Sequence, residues 1–530
     1  MRALTAAEAR EADRLTTERL GISPLQLMEN AAHQLSLQLM RWLANPACSP
    51  RVILCGKGNN GGDGLALARL LRKAGFPCEV LVFAPAEQLS GAAAEQLKNF
   101  RECGGEVTHV TGAAEWETHK AAVLSAPLLV DAILGTGLNA GVEGFLAGVI
   151  EDINRRGDNL VVAVDIPSGL PSDGPLTHSP AIRADYTITF TAPKVGLLLH
   201  PNSEYAGQVR VCSIGTPPEL FPENPAANLS WSEPQEFRGL PLRRRREQHK
   251  GDFGHVLIVA GSRGKSGAAA LAGLGALRSG AGLVTIATPE SIQPVVAGHQ
   301  PELMTEPLAE TEAGSISLRA LEYGRLEKLL EGKTVLALGP GLGTHPETQQ
   351  FIRTVAGQCP LPVILDADGL NAYAGRAGEL KTRSGKFLAV TPHPGEMARL
   401  QGISAAEVQK RRLETARTTA EEWNAFTVLK GASTLVAAPD GRVWVNSTGN
   451  PGMATGGTGD VLTGILAGLT AQFGTRDWER VLALGVYLHG AAGDSATMGA
   501  WRTGLIATDV AADLRGVFGE LLRELGIEPY

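Results

Sequence analysis

Apolar positions along the chain follow two alternating patterns. The opening stretch MRALTAAEAREADRL intersperses charged residues with alanine and predicts an amphipathic helix. The apolar run Val52–Cys55 then ends in a glycine-rich turn and gives way to LALARLLRKAG at helical spacing, which predicts a strand, a loop and a helix. The alternation continues through CEVLVF, AAAEQLKNFREC, LLVDAIL, the segment Val142–Arg156 and LVVAVDI. Strands alternating with helices predict a parallel sheet covered on both faces, a Rossmann-like α/β domain over residues 1–218. Between Thr216 and Pro241 the periodicity lapses into PPELFPENPAANLSWSEPQ, followed by Arg243–Arg246, and a linker is expected over 219–245. GHVLIVAGS, LVTIATP, TVLALGPGLG, PVILDADGL and KFLAVTPHPGE restart the alternation, so a second α/β domain is expected over 246–530. No period of about 20 to 50 residues recurs, which argues against a solenoid or propeller.

The length of 530 residues exceeds what one hydrophobic core usually serves, in keeping with two domains. Glycine is abundant (64 residues) and aromatics are scarce (5%), a balance that suits many tight strand-to-helix turns. The net charge of -7 argues against a nucleic-acid surface. Within it the four-arginine run reads as a solvated edge of the linker rather than a polyanion site, because its surroundings are acidic and loop-like. Cys48, Cys55, Cys78, Cys103, Cys212 and Cys359 include no C-x-x-C pair, so free thiols in a reducing compartment are expected. The first residues lack the apolar core of a secretory signal. The longest apolar-rich run, Val461–Thr475, falls short of the roughly 18 to 20 residues that span a bilayer, and a soluble cytoplasmic protein without a membrane partner is expected.

Gly56-Lys57-Gly58-Asn59-Asn60-Gly61 matches G-x-G-x-x-G between a strand and a helix, the setting of a dinucleotide-binding turn. In the common version an acid at the end of the next strand holds the ribose hydroxyls. Here that strand ends in Val82, Phe83 and Ala84, which argues against an ordinary hydride-transferring domain. Three strand ends instead carry polar strings: NNGGDG at Asn59–Gly64, DAILGTGLNAG at Asp131–Gly141 and VDIPSGL at Val164–Leu170. In an open parallel sheet they face one crevice, where Asn60, Asp131 and Ser168 offer oxygens to a hard cation and GTGLNAG offers amides to a pyrophosphate. A lone aspartate after a strand is ordinarily a turn cap; three polar strand ends together favour the functional reading.

These strings closely resemble the N-terminal domain of the NAD(P)H-hydrate epimerases over roughly residues 5–218. The resemblance implies that Asn59, Asn60, Gly61, Gly62 and Asp63 hold the hydrated nucleotide together with Gly135, Thr136, Gly137, Leu138, Asn139, Ala140 and Gly141. It also implies that Asn60, Asp131 and Ser168 bind K+ and that Asp165 contacts the ligand. The reaction inverts C6 of the hydrated nicotinamide ring. The ring nitrogen can push out the hydroxyl or open the ring, so the protein needs chiefly a proton-transfer group, for which Asp165 is expected.

In the second half, Asn450–Asp460 is a glycine-rich loop opening the helix of VLTGILAGLTA. Free N–H groups and the helix dipole make an anion pocket there, and Asp460 stands beside it as a base for an attacking hydroxyl rather than a simple helix cap. This loop and Lys430–Thr434 (KGAST) resemble the ribokinase-like superfamily. GSRGKSGAA at Gly261–Ala269, GPGLG at Gly339–Gly343, DADGLNA at Asp366–Ala372 and TPHPGEMARL at Thr391–Leu400 are similar to the NAD(P)H-hydrate dehydratases, over about residues 235–525. GSRGKS is not a phosphate-binding loop of the G-x-x-x-x-G-K-S kind, since Val259 stands where its first glycine belongs, and it is expected to be a substrate-side turn.

The dehydratase resemblance implies that Ala268, Gly343, His393 and Asp460 bind the hydrated nucleotide, and that Lys430, Gly431, Ala432, Ser433, Thr434 and Gly459 bind ADP. It further implies that ADP phosphorylates the C6 hydroxyl of the S epimer, with Mg2+ bridging the nucleotide phosphates, and that loss of phosphate then restores NADH or NADPH. Fusion to an epimerase is sensible because spontaneous hydration yields both epimers, and a homo-oligomer is common in such proteins. The competing reading is a ribokinase-like small-molecule kinase fused to a non-catalytic nucleotide-binding scaffold, against which NNGGD, Asp131 and Asp165 weigh.

Overall fold

The computed structural model describes residues 1–43, 51–138, 141–176, 179–223, 227–474, 477–499 and 501–528. The chain forms two compact units, Arg2–Leu229 and Ser230–Tyr530, the second also including Met1. Among the described residues no helix is long and apolar enough to cross a membrane.

In the first unit seven strands are β1 (Arg51–Cys55), β2 (Glu79–Val82), β3 (Thr108–His109), β4 (Leu128–Ala132), β5 (Leu160–Val164), β6 (Tyr186–Phe190) and β7 (Gln208–Cys212). They form one sheet in the order β3-β2-β1-β4-β5-β6-β7, every pair parallel. The central strands are continuous apolar runs because helices cover both faces. Leu35, Leu39, Leu65 and Phe100 fill one face; Trp116, Val149, Ile150 and Ile153 fill the other. The helices are α1 (Ala6–Leu20), α2 (Pro24–Leu43), α3 (Asn59–Lys73), α4 (Gly91–Glu102), α5 (Ala113–Ser125) and α6 (Gly144–Asn154). α1 begins on a capping box, with Thr5 and Glu8 each accepting the other's backbone N–H. Chain order reverses between β1 and β4, so the loops after these strands part and leave a crevice at their carboxyl ends. β6 and β7 were not evident from the pattern: YTITF alternates threonine with apolar residues, and β7 is a half-exposed edge strand.

The second unit has ten strands: β8 (Leu229–Trp231), β9 (His255–Val259), β10 (Leu283–Pro289), β11 (Met304–Leu308), β12 (Val335–Leu338), β13 (Val363–Leu365), β14 (Leu388–Val390), β15 (Phe426–Leu429), β16 (Leu435–Ala437) and β17 (Val443–Val445). Their order is β11-β10-β9-β12-β13-β14-β15-β16-β17-β8, parallel from β11 to β15 and antiparallel at β16 and β17. Around it lie α7 (Ser266–Arg278), α8 (Pro394–Gln401), α9 (Arg412–Glu422), α10 (Thr458–Phe473), α11 (Trp478–Ala496) and α12 (Ala507–Glu524). Much of the stretch 230–242 is integral to this unit, because Phe237, Leu240 and Leu242 are buried in its core. Only a few apolar side chains, widely spaced among Pro and Glu, do this work, so the pattern reads as a linker.

The described cysteines, Cys55, Cys78, Cys103, Cys212 and Cys359, are free thiols. Burial pushes the thiol of Cys55 well up, that of Cys78 up to about 12, and those of Cys212 and Cys359 upward.

Candidate active sites

In the first unit the turn after β1 leads directly into α3, so Asn60, Gly61, Gly62 and Asp63 lie in its first turn. The backbone here is so tight that a Cβ on Gly61 would lie 1.9 Å from the carbonyl oxygen of Gly56. Gly61→Ala is expected to cost about 1–3 kcal/mol, measured by urea unfolding, because the clash is with backbone that cannot swing aside.

Asn60 donates from Nδ2 to the Leu134 carbonyl at 3.0 Å, while its Oδ1 is buried without a partner. Asp131, at the end of β4, is 1% exposed. It accepts from Ser168 Oγ at 2.5 Å, Ser168 N at 2.8 Å and Ile133 N at 3.3 Å, yet burial pushes its carboxyl up to about 6. Ser168 Oγ in turn accepts from Leu134 N at 2.8 Å. The three oxygen-bearing residues anticipated around a cation are thus joined through the turn at Leu134.

Beside them opens a cavity of about 1000 Å³, lined by Asn59, Asn60, Asp63, Gly135, Thr136, Gly137, Leu138 and Asp165 among the anticipated residues. Gly61, Gly62 and Gly141 are not in its wall, and Asn139 and Ala140 lie outside the described residues. Asp165 follows β5 in the left-handed region (φ 63°), and Thr191 on the same wall has φ 66°, conformations a side chain adopts only under constraint. Oδ1 of Asp165 accepts from the ammonium of Lys194, from Thr189 Oγ1 at 3.0 Å and from Phe190 N at 3.2 Å. Lys194, whose side chain is 4% exposed, also donates to Thr189 Oγ1 and to the Phe190 carbonyl, each at 3.0 Å. Burial and the negative charges of Asp165 and Asp13, opposed by Lys194, push the Asp63 carboxyl well up.

In the second unit the glycine-rich loop starts α10 at Thr458, with Gly457 at its N-cap (φ 93°). A Cβ on Gly457 would stand 2.5 Å from Leu271 Cδ1. His489, half-buried on α11, holds this turn through Nε2 to the Thr458 carbonyl at 3.0 Å, and burial lowers its pKa to about 4, so it is a neutral donor. Asp460 lies in the first turn. Burial pushes its carboxyl up to about 7, reinforced by Asp366, Glu396 and Asp368 and opposed by Lys430.

Lys430, at the end of β15, bonds Asp366 Oδ1 at 2.7 Å and lies 3.7 Å from Glu396, while Thr463 on α10 donates to Asp366 Oδ2 at 2.6 Å. The following Gly431, Ala432, Ser433 and Thr434 turn the chain from β15 into β16, Ser433 in the left-handed region, and buried Arg412 clamps the turn through the Leu429 and Lys430 carbonyls. Gly459 packs against Lys430. Gly343 donates its N–H to Asp368 Oδ2 at 2.8 Å, and Lys265 meets the same oxygen at 3.1 Å. Ala268 on α7 abuts Gly341. The segment 261–265 is a turn into α7. His393 caps α8, its Nδ1 accepting from Gly395 N at 3.0 Å, and burial with Lys430 and Arg399 nearby lowers its pKa. The elements bearing Gly343, His393, Lys430, Gly459 and Asp460 are therefore linked in one polar network at the carboxyl ends of the parallel strands.

A separate opening of about 1110 Å³ lies at the other end of α10, lined by Arg243–Arg246, Arg278, Gln472 and Phe473. Arg244 stacks 3.7 Å over Phe253 and donates to the Gly280 carbonyl and to Gln472 Oε1, so this arginine of the run serves packing.

Two family models match the chain, one described as NAD(P)H-hydrate dehydratase over residues 256–515 and one as YjeF-related protein N-terminus over 24–196. The bifunctional NAD(P)H-hydrate repair enzyme Nnr of Moorella thermoacetica is 42% identical over 527 residues, covering 98% of this chain and 97% of that protein. The chain belongs to the bifunctional NAD(P)H-hydrate repair enzymes. The repair enzyme of Escherichia coli is 34% identical over 513 residues, covering 97% of this chain and 93% of that one. Among solved structures, an ADP/ATP-dependent NAD(P)H-hydrate dehydratase from Bacillus subtilis, co-crystallised with ATP/Mg2+, is 34% identical; it covers 56% of this chain and 100% of its own, with a TM-score of 0.47.

Four groups of this repair enzyme escaped the sequence reading. Lys194 and Asp13 sit in ordinary-looking contexts, a Pro-Lys dipeptide and a charged helix face, and only tertiary packing brings them to the cavity. Asp366 and Glu396 were more accessible. One ends the strand of PVILDADGL and the other is the fourth residue of an H-x-x-E capping box, signals that mark buried polar anchors.

Proposed function

We propose that the first unit interconverts the R and S forms of hydrated NADH and NADPH and that the second dehydrates the S form using ADP, releasing AMP and phosphate. The observation carrying this reading is Asp460: a carboxyl pushed up to about 7, at the amino end of a glycine-opened helix, within a chain related to bifunctional repair enzymes over nearly its whole length. Such a group is matched to take the proton of the C6 hydroxyl as that oxygen attacks the terminal phosphate of ADP. The N–H groups of the Gly457–Asp460 turn face the transferring phosphate, and Gly431–Thr434 and Gly459 hold the rest of the nucleotide. Phosphate then leaves from C6 as the ring nitrogen returns its electron pair to the ring. Among the described residues no carboxylate cluster is arranged to hold a metal by itself, so Mg2+ would come with the nucleotide phosphates beside Asp460 and would neutralise charge there. Ala268, Gly343 and His393 are assigned to the hydrated nucleotide.

In the first unit Asn60, Asp131 and Ser168 are assigned to K+. The buried Asn60 Oδ1 without a partner and the enclosed Asp131 carboxylate fit an oxygen-ligated monovalent ion, which would fix the Gly135 loop against the substrate. Asn59–Asp63, Gly135–Gly141 and Asp165 are assigned to the hydrated nucleotide. Asn60→Leu is expected to abolish K+ stimulation and to lower epimerisation by about 10–100-fold, seen by comparing rates in K+ and in N-methylglucamine buffers. The ligands are small molecules rather than nucleic acid or membrane, and a cytoplasmic homo-oligomer is proposed.

The test of the whole reading is absorbance at 340 nm with a defined R and S mixture of hydrated NADH, ADP, Mg2+ and K+. Recovery beyond the S fraction supports both activities; no recovery with ADP or ATP removes the repair reading.

A further inference from the structure

The first unit's cavity poses a question that its assigned residues leave open: which group moves the proton when C6 inverts. Its titratable lining comes from five parts of the fold. Asp13, Arg10, Arg14 and Glu18 stand on α1, Asp63 on α3, Asp165 after β5 and Lys194 after β6, with Lys57 on the turn after β1. Arg14 is committed to Glu11 and Glu18, and Lys57 to Gln88. Asp165 has Oδ1 engaged by three donors, the buried Lys194 ammonium among them, and its backbone is fixed in the left-handed region, the profile of an anchored anion. Asp63, in the first turn of α3 three residues from Asn60, is pushed well up by burial and by the charges of Asp165 and Asp13.

Asp13 differs from all of these. It projects from α1 into the same cavity, within the fields of Lys194 and Asp165 and close enough to Thr216 for that hydroxyl to favour its ionised form. Burial, opposed by Lys194 and Thr216 and assisted by Asp165, brings its carboxyl to about 6, so both protonation states are populated near neutrality.

We propose that Asp13 is the acid–base catalyst of the epimerase and that the Asp165–Lys194 pair positions the charge around it; this rests on the epimerase reading of the first unit. Protonated Asp13 gives its proton to the C6 hydroxyl oxygen. The C6–O bond breaks with its electron pair on oxygen, water departs, and the N1 lone pair forms N1=C6. Water then adds to either face of C6, its lost proton goes to the Asp13 carboxylate, and the N1=C6 pair returns to N1. One water leaves and one enters, and nothing is oxidised or reduced. An intermediate cation held in this cavity would meet the Asp13 and Asp165 carboxyls, with the Lys194 ammonium already paired to Asp165, Arg14 to Glu11 and Glu18, and Lys57 to Gln88.

The experiment uses full-length Asp13→Asn with pure R epimer of hydrated NADH in ADP, Mg2+ and K+, read at 340 nm, with pure S epimer as the internal standard. The expected result is S turnover at the wild-type rate and R turnover slowed by about 10²–10⁴-fold towards spontaneous epimerisation, with Asp13→Glu recovering part of it. Thr216→Val, which removes the hydroxyl that favours ionised Asp13, should move the wild-type pH limb near 6 upward. R turnover unchanged in Asp13→Asn, or a pH limb unmoved in Thr216→Val, overturns the assignment. Wild-type protein that recovers neither epimer overturns the repair reading itself, and the assignment with it.

Discussion

Asp460→Asn will lower dehydration of the S epimer by about 10²–10⁴-fold while R and S continue to interconvert at the wild-type rate. Asparagine keeps the shape and polarity of the first turn of α10, and the cap belongs to Gly457, so the helix and its N–H groups remain. What disappears is the acceptor for the hydroxyl proton. The comparison is absorbance at 340 nm with S epimer for dehydration, and chromatographic scrambling of R and S without ADP for epimerisation. The wild-type pH dependence supplies an independent check. Asp460 must be ionised to act as a base, and burial together with Asp366, Glu396 and Asp368 sets its carboxyl at about 7. Dehydration kcat/KM therefore rises with pH through about 7 and levels above it. An unchanged kcat in Asp460→Asn would remove this carboxylate from the chemistry.

Lys430→Met is expected to destabilise the second unit by about 3–5 kcal/mol, because it strands buried carboxylates that the ammonium now balances. Asp366 keeps only Thr463 as a partner, and Glu396 and Asp460 lose the one cation facing both. The two units should melt in separate calorimetric transitions, with the loss confined to one. Its pH dependence has a definite sign. Burial already raises the carboxyls of Glu396 and Asp460 above their unfolded values, and removing the opposing ammonium raises them further. Groups raised in this way favour the fold below their unfolded pKa and oppose it as pH climbs through the folded value, so the deficit grows through about pH 7 and shrinks in acid. A deficit independent of pH would mean that packing, not charge, sustains this cluster.

Most of what the chain folds into was legible from local pattern. Apolar runs ending in glycine-rich turns announced β1, β4, β5, β9, β12, β13 and β14, because strands buried on both faces have no room for polar alternation. The strand-end strings pointed to Asn60, Asp131 and Ser168 as neighbours, and hydrogen bonds join them around Leu134, since in a parallel sheet carboxyl ends share one edge. Asp460 was legible for the same reason, at the opening of a helix. Lys194 and Asp13 were not. A lysine stem and an aspartate on a charged helix read as solvent-facing until other elements enclose them, and no spacing within the sequence encodes that enclosure. The antiparallel β16 and β17 were likewise hidden, being three residues each, too short to show a period.

The raised thiols have a practical meaning for a protein that mends damaged cofactors. Oxidants and electrophiles attack thiolate, and Cys55, Cys78, Cys212 and Cys359 present almost none at neutral pH. Neither proposed proton-transfer site draws on sulfur: one is built from carboxyls around an ammonium, the other from a carboxyl at a helix end. These four thiols are thus poor targets for the oxidants and electrophiles that attack thiolates.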